Sequence, residues 1–248
     1  DGNFVENHYQ GIRLEDCNEN TILGNTVYKN SNYGILLLYD CFDNIVTGNI
    51  VKDQNFYSGI ILLESHFTIL SVNTVEDNPE YGIWVWASSL NEFLGNIVRN
   101  NTFNGFNIED SFENIFSENR VTDNNIGINV DSLSIENLFY ENYFIGNGVH
   151  ANDYGTNNDW NSVSIGNFWD DYAGVDANDD GIGDTPYIIP GSAGSQDNFP
   201  IWEDGDDLAP VITIISPLLD DVFGLDAPDY QITIDELNLD SYWYTLEA

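Results

Sequence analysis

The sequence predicts an all-β fold, a right-handed parallel β-helix of about seven coils, on three observations. A Gly followed by an apolar residue recurs at Gly11, Gly34, Gly59, Gly82, Gly105 and Gly127, at intervals of 22 to 25 residues. Asparagine keeps the same period in two further columns. Within each period lie three short stretches of alternating hydrophobicity, a strand signature and not a helical one.

After each Gly come the inward pairs Ile12/Leu14, Ile35/Leu37, Ile60/Leu62, Ile83/Val85, Phe106/Ile108 and Ile128/Val130. One Asn column runs Asn3, Asn25, Asn49, Asn73, Asn96, Asn119, Asn142 and Asn167, followed two residues on by Val27, Val51, Val75, Val98, Val121 and Phe144. The other is Asn20, Asn44, Thr68, Asn91, Asn114 and Asn137, followed by Ile22, Val46, Leu70, Phe93, Phe116 and Phe139. Three strands per turn in register make a triangular coil, with like side chains stacked at about 4.8 Å. Asparagine suits the corners, where it tolerates left-handed backbone angles and bonds the copies above and below. A leucine-rich repeat would need its own consensus and helical segments, and neither is present.

The coils are assigned to 1–167, a capping segment to 168–207, and a second β domain to 208–248. Phe168, Trp169 and Tyr172 are expected to cover the last coil, since a solenoid must close its apolar end. From Leu208 the stretches Val211–Ile215, Tyr230–Ile234 and Ser241–Leu246 read as the first strands of an immunoglobulin-like sandwich, with Trp243 in its core. Some 40 residues cannot complete a sandwich of about 100, and residue 1 already lies inside the repeat. The chain is therefore expected to be a piece of a longer protein.

Charge bounds function. Five Lys and Arg stand against 42 Asp and Glu, a net charge of −37. Such a chain avoids nucleic acid and anionic membranes and favours cations and saline or extracellular settings. A hydrophobic content of 42% argues against disorder, and no apolar run is long enough to span a membrane.

The segment from Gly166 through Tyr172, the loop from Asp176 to Asp184, Thr185 to Tyr187, and Asp197 to Ile201 together resemble the characteristic end of NosD-type β-helix proteins. The repeat resembles the β-helices grouped with carbohydrate-binding proteins and sugar hydrolases. Such ends recur in large archaeal surface proteins, often before immunoglobulin-like domains. The resemblance implies an exported protein; the founding family helps deliver copper to nitrous oxide reductase in the periplasm. Copper is nevertheless not expected here, because soft or imidazole ligands are required, Met is absent, and His8, His66 and His150 share no lattice position.

Four groups of residues are candidates for function. Asp176, Asn178, Asp180 and Asp184 occupy positions 1, 3, 5 and 9 of an acidic loop, with Gly181 at the turn and the Ile182 carbonyl at position 7. That spacing is a calcium loop's, with Asp197 available as a late carboxylate. Cys17 and Cys41 are expected on adjacent coils, as two small thiols or as a disulfide if the protein is exported. Lys29, Lys52 and Arg99 share one column but lack a metal-binding acidic cluster, so the residues argue against an enzyme. Finally, Leu36, Leu38, Ile61, Leu63, Trp84 and Trp86 alternate with the inward pairs and must point outward, a larger apolar block than a soluble monomer usually exposes. A protein partner, the chain's own C-terminal segment and a glycan compete for it. The sequence is expected to encode an extracellular or cell-surface module with a scaffold, adhesion or glycan-binding role; a polysaccharide-active enzyme is the alternative and copper handling the third.

Overall fold

The computed structural model describes residues 1–202, 211–216 and 231–235. The chain divides into two compact units, 1–202 and 203–248. In the second, Val211–Ser216 pairs antiparallel with Gln231–Asp235; the expected third strand and Trp243 lie outside the described residues.

The first unit is the expected parallel β-helix, with three parallel sheets running along it. Sheet A has eight strands: Phe4–Glu6, Thr26–Tyr28, Ile50–Lys52, Thr74–Glu76, Ile97–Arg99, Arg120–Thr122, Tyr143–Ile145 and Phe168–Trp169. Sheet B has seven, Ile12–Glu15, Ile35–Phe42, Ile60–His66, Ile83–Trp86, Asn104–Glu109, Ile126–Val130 and Val149–Asp153. Sheet C stacks Thr21–Leu23, Ile45–Thr47, Ile69–Ser71, Glu92–Leu94, Ile115–Ser117 and Leu138–Tyr140. Register follows the sequence columns: Val75 lies between Val51 and Val98, and Phe116 between Phe93 and Phe139. All the inward residues join one core cluster, and each buried Val, Ile or Phe stabilises by about 1.5–3 kcal/mol.

The Gly column is needed for close approach. A Cβ on Gly82 would sit 2.5 Å from Val98 Cγ1 and 2.7 Å from the Gly105 carbonyl of the next coil. In the seventh coil the same position holds His150, as the pairing of Ile126 with Val149 and of Ile128 with Ala151 shows.

Asparagines tie coil to coil. Asn96 is fully buried; its Oδ1 accepts from the backbone and side chain of Asn73, and its Nδ2 donates to Asn119 Oδ1 and the Leu70 carbonyl. The same pattern recurs along both expected columns. A third ladder, absent from the sequence reading, runs Asn30, Gln54, Asn78, Asn101, Asn124 and Asn147.

The cap closes each ladder. Asp197, fully buried, stands where an Asn of a further coil would: its Oδ2 accepts from the Asn167 N–H at 2.7 Å, Asn167 Nδ2 and Trp169 Nε1, and its Oδ1 from Phe199 N–H. Burial pushes the Asp197 carboxyl above its ordinary value. Asp153 Oδ1 ends the second ladder by accepting from Asn158 Nδ2, while its Oδ2 accepts from Trp160 Nε1 and Ser195. Trp169 stacks on Phe144 at 4.4 Å and Trp160 on Phe139 at 4.2 Å, so two indoles seal the apolar end. Phe168, expected beside Trp169 in this role, instead turns outward onto Tyr143. Adjacent strand residues face opposite ways, and Trp169 takes the inward place.

Candidate functional site

Outward side chains of sheet B form a second apolar cluster, separate from the core. Leu36, Leu38 and Ile61 are buried in it, with Tyr33, Leu63 and Trp84 packed against them. Trp84 and Trp86, two apart on one strand, stack their rings at 5.2 Å with planes 6° apart, and Trp86 is 40% exposed. Tyr81 meets Trp84 edge-on at 5.5 Å. The Trp84 Nε1–H is buried without an acceptor among the described residues.

One coil further, polar side chains replace apolar ones. Asn107 pairs with Trp84 and Glu109 with Trp86. Asn104 Nδ2 and Asn129 Nδ2 donate to Asn107 Oδ1, and Asn107 Nδ2 donates to Glu109 Oε1 at 2.8 Å. Along the adjoining turn, Ser58 Oγ donates to Glu80, whose carboxyl burial pushes up. Burial likewise raises Tyr33, to about 12, and Tyr81. The surface is therefore a stacked tryptophan pair, with Trp86 the more exposed ring, bordered by amides and carboxylates and set beside an aliphatic patch. The sheet B alternation in the sequence placed its six apolar residues and turned Asn107 and Glu109 outward; Asn104 and Glu80 were not singled out.

The other candidates separate. In the acidic loop, Asp176 accepts from the Asp180 and Gly181 N–H groups, Asp180 from Ile182 N–H, and Asp184 from Ala177 N–H. Asn178 Nδ2 donates to Asp180. Asp197 is consumed by the Asn ladder and is no late ligand for this loop. Cys17 and Cys41 are free thiols, so the disulfide is not made here; Cys17 donates to the Glu15 carbonyl and Cys41 to that of Leu38. A bulge between Leu38 and Cys41 shifts the register of this strand. Cys41 lies in the small-residue column opposite Ser65, and the Cys17 carbonyl accepts from Asn44 as those of Ser65 and Ser88 accept from Asn91 and Asn114. The basic column also needs correction: it reads Tyr28, Lys52, Glu76, Arg99, and Lys29 lies one residue beyond, at a corner with φ 53°.

His150, Asp170 and Asp171 converge under the cap, with His150 Nε2 2.7 Å from Asp170 and 3.3 Å from Asp171. The Asn147 amide is oriented by Asn124 and by its bond to the Val121 carbonyl, so its Nδ2 donates toward His150 Nδ1. Nε2 therefore carries the proton and donates to Asp170, and the imidazole ends the third ladder as a structural link. The remaining histidines lie elsewhere: His66 stacks on Phe42 and accepts from Ser89 N–H.

The sequence matches the family described as periplasmic copper-binding protein (NosD) over residues 1–103 and 38–174. Among curated proteins no sequence matches. Among solved structures, the periplasmic alginate epimerase AlgG is similar at 25% identity with a TM-score of 0.57, covering 60% of this chain. The chain spans 36% of that protein's length. The Azotobacter vinelandii mannuronan C-5 epimerase AlgE6 A-module is 14% identical over 62% of this chain and 54% of its own, with a TM-score of 0.45. Copper fits the described donors poorly: the one cluster of three, His150 with Asp170 and Asp171, offers a single imidazole and two carboxylates.

Proposed function

The chain belongs to the NosD family, and from that premise we propose that it is an exported β-helix module that binds glycan on the outer face of sheet B. The observation that carries this reading is the parallel Trp84–Trp86 pair, flanked by Asn107, Glu109 and Glu80. Indole faces pack against the C–H faces of sugars, while amides and carboxylates at the border bond hydroxyls. Carboxylates at the border favour an uncharged sugar on this platform. Similarity to AlgG, a periplasmic alginate epimerase, supports a polysaccharide partner and an extracytoplasmic setting. It also supports the second reading, an enzyme that modifies the polysaccharide it holds. Among the described residues no helix is long and apolar enough to cross a membrane.

The test is a glycan array followed by calorimetry. Trp84→Ser with Trp86→Ser should weaken binding of a neutral oligosaccharide at least tenfold and leave the circular dichroism of the coils unchanged, because neither ring joins the core. Unfolding by that double substitution, or unaltered affinity, would sink the platform.

We read the loop from Asp176 to Asp184, with Asn178, Asp180 and the Ile182 carbonyl, as a calcium site of modest affinity. Its support is the alternate spacing of oxygen donors around Gly181, at φ +81°. Calcium at a hundredfold excess over its dissociation constant should stabilise the cap by about 2.7 kcal/mol. Thermal unfolding with and without chelator measures this, and identical midpoints at millimolar calcium would refute it.

A further inference from the structure

The outer face of sheet A concentrates positive charge in a chain that has almost none. Lys52, Arg99 and Arg120 lie on its strands, and Lys29 stands at its corner, four of five basic residues in a protein of net charge −37. The strands themselves offer Glu6 and Glu76 in return. The corner that holds Lys29 carries Asp53, Asp77 and Asp123 on later coils, so the local excess of positive charge is confined to Lys52 and Arg99 about Glu76.

The charges are also organised. Lys52, Glu76 and Arg99 are successive members of one outward column, so Lys52 and Arg99 stand two coils apart, about 9.6 Å at 4.8 Å per strand. Arg99 Nη2 lies 2.6 Å from Glu76 Oε2 and its Nε 2.8 Å from the same oxygen, whereas Lys52 Nζ stays 3.8 Å from the other. One carboxylate thus orients a guanidinium and leaves the ammonium loosely held. Beside them a groove of about 570 Å³ is floored by Thr26, Ile50 and Thr74 and closed by Phe4 and Tyr28, whose rings are 5.4 Å apart. An ion-pair network alone would need neither a second cation nor an aromatic wall.

We infer that this groove is a second glycan subsite, for a carboxylated sugar of an acidic polysaccharide. Lys52 and the free edge of Arg99 take the carboxylate, the threonine hydroxyls meet the sugar hydroxyls, and Tyr28 and Phe4 pack against its apolar face. Global repulsion from 42 acidic residues acts over a distance that salt screens, about 8–10 Å at 0.1–0.15 M, while the contact charges act within it. The site lies on a different sheet from the tryptophan platform and does not depend on it.

The probe is oligogalacturonate, titrated by calorimetry into the full chain in chelator, with a neutral oligosaccharide of equal length as control. The uronate should bind more tightly than the neutral sugar. Lys52→Met with Arg99→Met should weaken it at least tenfold, while Arg13→Met and Trp84→Ser/Trp86→Ser leave it unchanged. Glu76→Gln, which removes the internal competitor, should tighten it several-fold, and that gain cannot come from misfolding. Absence of uronate binding in the unaltered protein, equal affinity in the Lys52/Arg99 variant, or weaker binding with Glu76→Gln would each overturn the assignment. Loss of uronate binding in the tryptophan variant would move the sugar to sheet B and overturn it as well.

Discussion

Asn96→Ala should destabilise the first unit by roughly 4 kcal/mol, a cost out of proportion to a side chain of this size. Four hydrogen bonds disappear, and the Asn73 N–H, the Asn73 amide and the Leu70 carbonyl lose a partner where water cannot reach. Each buried group left unpaired costs about 1–3 kcal/mol. The same substitution at Asn3, which is exposed and ends its ladder, should cost below about 1 kcal/mol. Urea unfolding of both variants measures the difference. Equal losses at the two positions would mean that the ladders add little beyond the strand pairing.

Asp197→Ala should be as damaging, at roughly 3–5 kcal/mol, and should act first on the cap. Removing the carboxylate strands the Asn167 N–H, the Trp169 indole and the Phe199 N–H, with about 1–3 kcal/mol at stake for each. Trp169 fluorescence should then report cap opening before the coils unfold. Acidity has a definite sign here. The folded carboxyl lies above its unfolded value because burial disfavours the charge. The native state then binds the proton more readily, so this group's contribution is full below the unfolded value and is lost as pH rises through the folded one. Asp197→Asn keeps an oxygen for Asn167 and Trp169, forfeits the Phe199 bond, and should lack that segment of the pH profile. A profile identical to that of the unaltered protein would assign the titration elsewhere.

The coils were legible because a repeated position writes the same chemistry many times. Val75 alone says nothing; Val27, Val51, Val75, Val98 and Val121 at one interval fix a strand, a face and a register. The third ladder escaped because Gln54 stands for Asn within it, and longer reach lets a different side chain do the same work. Left-handed corners were hidden for a related reason: beside Asp and Gly they hold Phe67, Val72 and Leu90, which no local preference would place there. Lys29 was misassigned by one residue: it stands four residues past Asn25, whereas Lys52 and Arg99 stand three past Asn49 and Asn96. The cap was least legible. Asp197 meets Asn167 across 30 residues, Ser195 meets Asp153 across 42, and neither contact repeats. Of the surface sites, the tryptophan platform followed from strict alternation, whereas the slightly positive groove needed the register to bring its members together.

The ladders also give the stack an electrical direction. Along the whole first column, and from Asn91 and Asn78 onward in the other two, side-chain Nδ2 groups point toward the oxygen of the following coil, so the amide dipoles add head to tail and polarise one another. All three columns finish on groups that receive: Asp197, Asp153, and His150 backed by Asp170. The negative terminus meets the positive end of the array, as an anion does at the start of an α-helix. A whole coil could be duplicated anywhere between Asn91 and Asn142 without disturbing this polarity, since there every donor would find the same oxygen one layer on. Removing the terminal carboxylates would instead leave three aligned columns discharging into an apolar end, which makes the closing loops the determinant of how long such a column can grow.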